Sequence, residues 1–193
     1  MRPIRIAAIV LVCMLAGLWI GQQYRSAVLV EPPPLTVAQL PDFTLPDLDD
    51  QPRSVAEWSG QPLLINFWAT WCAPCRREMP LLQSLQDEHS DGSLQVIGIA
   101  LDNLPDAKRF IEAIDVTYPI LYGEDDVTAL AESFGDAFIG LPFSVFVDPS
   151  GEILALHSGE LHADHLRQFV AELDAIASGQ RSVAEVRKRL SLD

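Results

Sequence analysis

Leu63-Leu64-Ile65-Asn66-Phe67-Trp68 is an apolar run broken only by Asn66, and it leads through Ala69 and Thr70 into Trp71-Cys72-Ala73-Pro74-Cys75. Such a run marks a strand buried on both faces, as in a parallel sheet. Helical spacing replaces it downstream: Met79, Leu82 and Leu85 recur at intervals of three and predict a helix from about Cys72 to His89. The chain must therefore fold around a buried strand that turns into a helix, with a cysteine pair at the turn.

Other elements alternate about this unit. Phe43–Leu45 and Arg53–Val55 flank a turn-rich stretch and predict a short hairpin, followed by a capping-box turn from Ser54 and Glu57. Leu94–Ala100 reads as a second buried strand, Pro105–Ile114 as a helix, Pro119–Tyr122 as a short strand and Val127–Phe134 as a short helix. Ser144–Asp148 and Ile153–Ser158 are joined by Asp148-Pro149-Ser150-Gly151, the residues of a type I turn, so these strands run antiparallel. An amphipathic helix over Ala163–Ala177 and a capped turn from Ser182 and Glu185 complete the chain. The fold class is α/β, three layers about a mixed sheet, with an N-terminal hairpin.

A hydrophobic fraction of 49% and a charged fraction of 21% are those of a folded domain. The net charge of −14 is uneven: residues 32–180 hold 6 basic and 24 acidic side chains, while both ends are weakly basic. So acidic a body repels phosphate backbones, which excludes nucleic acid as a partner. Three cysteines, Cys13, Cys72 and Cys75, are too few for a disulfide framework.

The first 21 residues predict export. Ile6–Gly21 carries no charge and follows Arg2 and Arg5, and no small-x-small cleavage site comes after it. We expect an uncleaved transmembrane helix over 6–21 with the N-terminus cytoplasmic and the rest outside. Cys13 is then a buried apolar residue of that helix, since Val12 is too large for the residue preceding a lipoprotein cysteine. Residues 22–39, with prolines at 32, 33 and 34, read as a spacer, residues 40–177 as the globular domain and 178–193 as a helical tail.

The chemistry lies in the cysteine pair. A cysteine at a helix N-cap faces unsatisfied N–H groups and the positive end of the helix dipole, which favours thiolate and makes Cys72 the nucleophile. Cys75, one turn in, is placed to attack a mixed disulfide at the Cys72 sulfur. Zinc would need two further ligands, for which His162 and His165 are the candidates, yet these read as solvent-facing and no metal site is expected. Haem attachment is excluded because Arg76, not His, follows Cys75.

Asn66 to Cys75, then Glu78-Met79-Pro80, Gly140-Leu141-Pro142 and Phe146-Val147-Asp148-Pro149-Ser150-Gly151 together resemble the membrane-anchored TlpA/ResA-like thiol-disulfide oxidoreductases of the thioredoxin superfamily, over about residues 40–177. The resemblance implies a thioredoxin-like fold and a redox disulfide between Cys72 and Cys75, with no cofactor. It further implies that Pro142 is a cis-proline, that Trp71, Ala73, Pro74, Leu141 and Pro142 bind substrate, and that Pro80 kinks the active-site helix. Glu78 matches an acidic residue that moves protons near the pair. Two departures matter. Asn66 stands where thioredoxins proper carry a buried aspartate, which leaves Glu78 as the proton carrier, and Phe143-Ser144 replaces the Glu-Thr usual in cytochrome c maturation.

The expected function is a single-pass bacterial inner-membrane protein whose periplasmic domain reduces disulfides of periplasmic proteins, recharged by a membrane thiol-reductant donor (DsbD/CcdA-like). The alternatives are an oxidase or isomerase on the same fold, and a metal-delivery module, whose relatives usually space their cysteines by three residues rather than two. A peroxidase would want Thr three residues before the attacking cysteine, and Thr70 is two before Cys72.

Overall fold

The computed structural model describes residues 37–190. All of them lie in the compact unit formed by residues 35–193. The expected central strand, β3 (Leu63–Trp68), is fully buried and occupies the middle of a five-stranded sheet ordered β5-β4-β3-β6-β7. Strands β4 (Gln95–Leu101) and β5 (Ile120–Gly123) run parallel to it. On the other side β6 (Phe143–Val147) is antiparallel to β3, and β7 (Ile153–Ser158) is antiparallel to β6. Strands β1 (Thr44–Pro46) and β2 (Pro52–Ser54) form a separate two-stranded hairpin.

Side chains alternate across the sheet, and each face has its own core. Leu64, Trp68, Val96, Ala100 and Phe146 pack under α1 (Ala73–Glu88), α2 (Leu104–Glu112), α4 (Ala163–Ala177) and α5 (Val183–Arg189). Ile65, Phe67, Ile97, Ile99 and Val145 face α3 (Asp125–Glu132), the hairpin and the 3₁₀ turn Val55–Trp58. The mixed sheet between two helical layers and the antiparallel β6–β7 pair are those expected from sequence. The turn between them is held by Asp148, whose Oδ1 accepts from the Ser150 and Glu152 N–H groups at 2.9 and 2.8 Å, while Gly151 takes φ +84°.

The C-terminal segment docks on this unit through the buried Val186 and Leu190. Arg181 and Arg189 each donate to the buried Glu172 carboxylate at 2.7 Å, and Arg187 donates to the Ile153 carbonyl at 2.7 Å.

The N-terminal membrane helix requires correction. No helix among the described residues is long and apolar enough to cross a membrane. The longest, α1, has 16 residues, spans roughly 24 Å at about 1.5 Å per residue, and carries a charged face. Residues 6–21 lie outside the described residues. The bilayer as partner, the single-pass inner-membrane topology, the periplasmic setting and the membrane donor all rested on that helix, and we drop them with it.

One position tests the tightness of the central layer. A Cβ on Gly98 of β4 would come within 2.6 Å of Ile120 Cδ1 and 3.1 Å of both Trp68 Nε1 and Tyr118 Cε2. Gly98→Ala should therefore destabilise the protein by about 1–3 kcal/mol, seen as a lower urea midpoint at unchanged slope. An unchanged midpoint would mean that Ile120 repacks without cost.

Candidate active site

Strand β3 delivers the chain to its C-terminal edge, where Thr70 is pinned: its N–H and hydroxyl both donate to Asp102 Oδ2, at 2.9 and 2.6 Å. Asp102 follows β4, so the loop is fixed to the neighbouring parallel strand. The Cys72 N–H then donates to the Ala69 carbonyl at 3.1 Å, closing the turn into α1. Cys72 is the N-cap, in extended conformation, and its Sγ accepts from the Cys75 N–H at 3.3 Å. That bond satisfies one of the free donors of the first turn and points a positive dipole end at the sulfur. Pro74, within that first turn, has no N–H to leave unpaired.

Cys72 and Cys75 form a disulfide with a Cα–Cα separation of 5.3 Å. The two are unequal: Cys72 is 5% exposed and Cys75 fully buried. Trp71 and Ala73 beside them are exposed, Trp71 at 69%. The Leu141–Pro142 peptide is cis. Because Phe143 pairs with Phe67, Leu141 and Pro142 lie beside the exit of β3, next to the cysteine loop. Leu141 is half-buried and Pro142 buried. Ile139, two residues earlier, is 84% exposed, a surface apolar residue that the sequence pattern did not single out.

Glu78 lies one turn beyond Cys75 on the same helix, so the two side chains are neighbours on its inner side. It is 1% exposed, which removes the alternative of a plain surface glutamate. Asn66 Nδ2 donates to its Oε1 at 2.8 Å, and the Leu161 N–H donates to its Oε2 at 2.6 Å. Burial pushes its pKa up from 4.5 to about 7, against the pull of the two donors. Asn66 also donates to Ser144 Oγ at 3.0 Å, while its own Oδ1 has no partner. Sequence reasoning treated Asn66 only as an aspartate lost. It is instead the amide that holds Glu78, where an aspartate would set a second negative charge against it. The signal was present, since Asn66 is the sole polar residue of a buried strand. The parts played by Ser144, Leu161 and Asp102 had no sequence signal, because each meets its partner only across the folded sheet.

His162 is exposed and His165 half-buried; the latter's ring lies 4.8 Å from that of His157. No group of three or more His, Cys, Asp or Glu side chains among the described residues is arranged to hold a metal ion.

Residues 37–156 match the AhpC/TSA family. The chain belongs to the AhpC/TSA family. The chain is 31% identical over 134 residues to the thioredoxin-like protein YneN of Bacillus subtilis, covering 67% of this chain and 75% of that protein. It is 28% identical over 138 residues to the thiol-disulfide oxidoreductase ResA of Oceanobacillus iheyensis, covering 69% and 70%. Among solved structures it resembles a thioredoxin-family thiol:disulfide interchange protein from Chlorobium tepidum, with TM-score 0.64, 27% identity and coverage of 70% and 95%. It also resembles StoA from Bacillus subtilis, with TM-score 0.56, 27% identity and coverage of 69% and 99%. This AhpC/TSA member is a thiol-disulfide oxidoreductase of the thioredoxin superfamily, and its redox group is a cysteine pair on a thioredoxin-like fold.

A carboxyl group whose pKa is raised in the folded state binds its proton more tightly there than in the unfolded chain. Stability from this group is then fully present below about pH 4.5 and falls as pH rises through about 7. Glu78→Gln should remove that fall, so the variant loses less stability than the parent between pH 5 and 8, by about 2–4 kcal/mol at full ionisation. Urea unfolding at both pH values checks this, and parallel pH dependence in the two proteins would contradict it.

Proposed function

We propose that the protein reduces disulfides of protein substrates, with Cys72 attacking and Cys75 resolving. The inequality of the pair carries this reading: the sulfur at the helix N-cap belongs to a residue that keeps 5% exposure beside exposed Trp71, and the other is wholly enclosed one turn from a buried carboxyl group. In the reduced enzyme the Cys72 thiolate attacks one sulfur of the substrate disulfide. A mixed disulfide forms and the other substrate sulfur leaves as thiolate, taking a proton from solvent. The Cys75 thiol then passes its proton to ionised Glu78 and attacks Cys72 Sγ. The second substrate thiolate departs, the enzyme disulfide re-forms, and two electrons have moved to the substrate. With a pKa of about 7, Glu78 is poised to take up and release this proton near neutrality. The exposed side chains of Trp71 and Ala73, with the Leu141–Pro142 backbone that leads into β6, would receive an extended substrate segment.

Reduction, rather than oxidation, is favoured by the dipeptide between the cysteines. Ala73-Pro74 places no imidazole beside Cys72, whose sulfur accepts from the Cys75 N–H. Modest thiolate stabilisation leaves the dithiol form less favoured and the pair more reducing. An oxidase or isomerase on the same scaffold is the second reading, and its potential would be higher. The peroxidase reading is weakened further, because the Thr70 hydroxyl is engaged by Asp102.

Cys72→Ser should abolish reduction of a model protein disulfide. Cys75→Ser should retain attack and accumulate a mixed disulfide, visible as a mass adduct that reductant removes. In the reduced protein, iodoacetamide should label Cys72 first, and first labelling of Cys75 would reverse the roles.

The reduction potential should be more negative than about −200 mV. Equilibration with glutathione or dithiothreitol buffers, followed by Trp68 and Trp71 fluorescence, measures it. A value near the roughly −120 mV of a strong oxidant would replace reductase by oxidase.

A further inference from the structure

Among the described residues two large apolar side chains stand exposed, Trp71 at 69% and Ile139 at 84%. Scattered singly such residues need no explanation, but these two share one place. Trp71 lies four residues beyond Phe67 on the way out of β3, and Ile139 four residues before Phe143 on the way into β6, and Phe67 pairs with Phe143. Both loops therefore issue from the same end of the central strand pair, and Cys72 follows Trp71 directly.

Ile139 is held outward by anchors on both sides. Before it, the Phe138 N–H donates to the Gly135 carbonyl at 3.1 Å, and the Ser158 hydroxyl donates to the Ala137 carbonyl at 2.6 Å. The Phe138 ring packs edge-on against Phe143, with ring centres 5.4 Å apart. After it, the Pro142 carbonyl accepts from the Gly159 N–H at 2.9 Å. Between these anchors Gly140 takes φ +149°, and a Cβ there would meet no atom within 4 Å. Its bare backbone faces open space, which suits the close approach of another chain.

We propose that Ile139 is a specificity-determining residue: together with Trp71 it receives a bulky apolar side chain next to the substrate cysteine, so that the enzyme prefers disulfides flanked by such residues in a neutral or basic extended segment. A disulfide under attack must bring its sulfur within bonding distance of Cys72 Sγ. The residues on either side of it then run outward over the adjoining loops at about 3.3 Å each. An apolar side chain there leaves water against Ile139 and Trp71, whereas an amide in the same place gains little. The 6 basic and 24 acidic side chains of residues 32–180 disfavour an acidic segment. The inference rests on the reading of Cys72 as the attacking sulfur.

The test uses two lysine-ended peptides, each an oxidised dimer through its one cysteine, which is flanked on both sides by leucine in one and by glutamine in the other. Each is mixed with reduced full-length Cys75→Ser protein. The Cys72 thiolate attacks, a bond forms between its sulfur and one peptide sulfur, the peptide disulfide breaks, and the other half leaves as thiolate and takes a proton from solvent. The rate at which the adduct forms at Cys72 is read by mass and peptide mapping. The leucine peptide should react about tenfold faster than the glutamine peptide, the effect of one apolar side chain partly withdrawn from water. Adding Ile139→Gln should bring that ratio to about threefold or less, and Ile139→Leu should restore it. Both replacements fall on an exposed position and leave no cavity.

Equal rates for the two peptides would overturn the preference, and a ratio unchanged by Ile139→Gln would overturn the role of Ile139, with the attack reading intact in either case. No adduct at Cys72 with either peptide would overturn the attack reading and this inference with it. A non-covalent check uses the oxidised parent and the same peptides with serine in place of cysteine. The Ile139 methyl signal should move on titration with the leucine peptide and much less with the glutamine peptide. A methyl signal that stays still would refute the contact.

Discussion

Burying a carboxyl group behind a cysteine pair obliges the fold to supply hydrogen-bond donors for it, and the active-site half of this protein is arranged around that obligation. Left alone in an apolar interior, Glu78 would simply stay protonated. Here the Asn66 amide and the Leu161 N–H keep its pKa at about 7 in spite of burial. Meeting the demand engages the central strand, its antiparallel neighbour through Ser144, helix α1 and the segment that follows β7. These parts are far apart in sequence, with Glu78 and Leu161 separated by 83 residues. A shift of any one of them changes the environment of the Glu78 carboxyl group.

The cysteine proposed to meet substrate is controlled by more local means. Cys72 takes its properties from a helix N-terminus, and that helix begins where it does because a buried strand ends at Trp68 and the loop folds back on itself through the Ala69 carbonyl. Asp102 completes the arrangement by tying Thr70 to the end of β4. The N-cap sulfur is thus set by a rigid strand–turn–helix unit, and the Cys75 sulfur by long-range packing. This division supports the different roles proposed for the two sulfurs of one short motif.

The extended hydrophobic pattern made the sheet legible. Apolar runs of four to seven residues separated by helical spacing leave few options for a chain of this size, and the strands and helices lie within two residues of where the pattern puts them. The cis peptide at Pro142 was implied by likeness to relatives rather than by any local signal, since its surroundings come from β3 and the cysteine loop. The apolar stretch at residues 6–21, where hydropathy suggested a membrane span, lies outside the described residues, and the fold they form contains no helix of that kind.

By itself the sequence determined the redox group, its place at a strand-to-helix junction, the order of the elements and the antiparallel turn at Asp148–Gly151, because each depends on contacts between near neighbours or on periodicity along one segment. It also marked Glu78 as worth attention, through likeness to relatives. Tertiary structure alone decided that Glu78 is buried, that Asn66 and the Leu161 N–H hold it, and that Asn66 is in turn bonded to Ser144. Proton affinity in a protein interior is set by the donors and charges that folding brings within a few ångströms, and no spacing along the chain encodes which residues those will be.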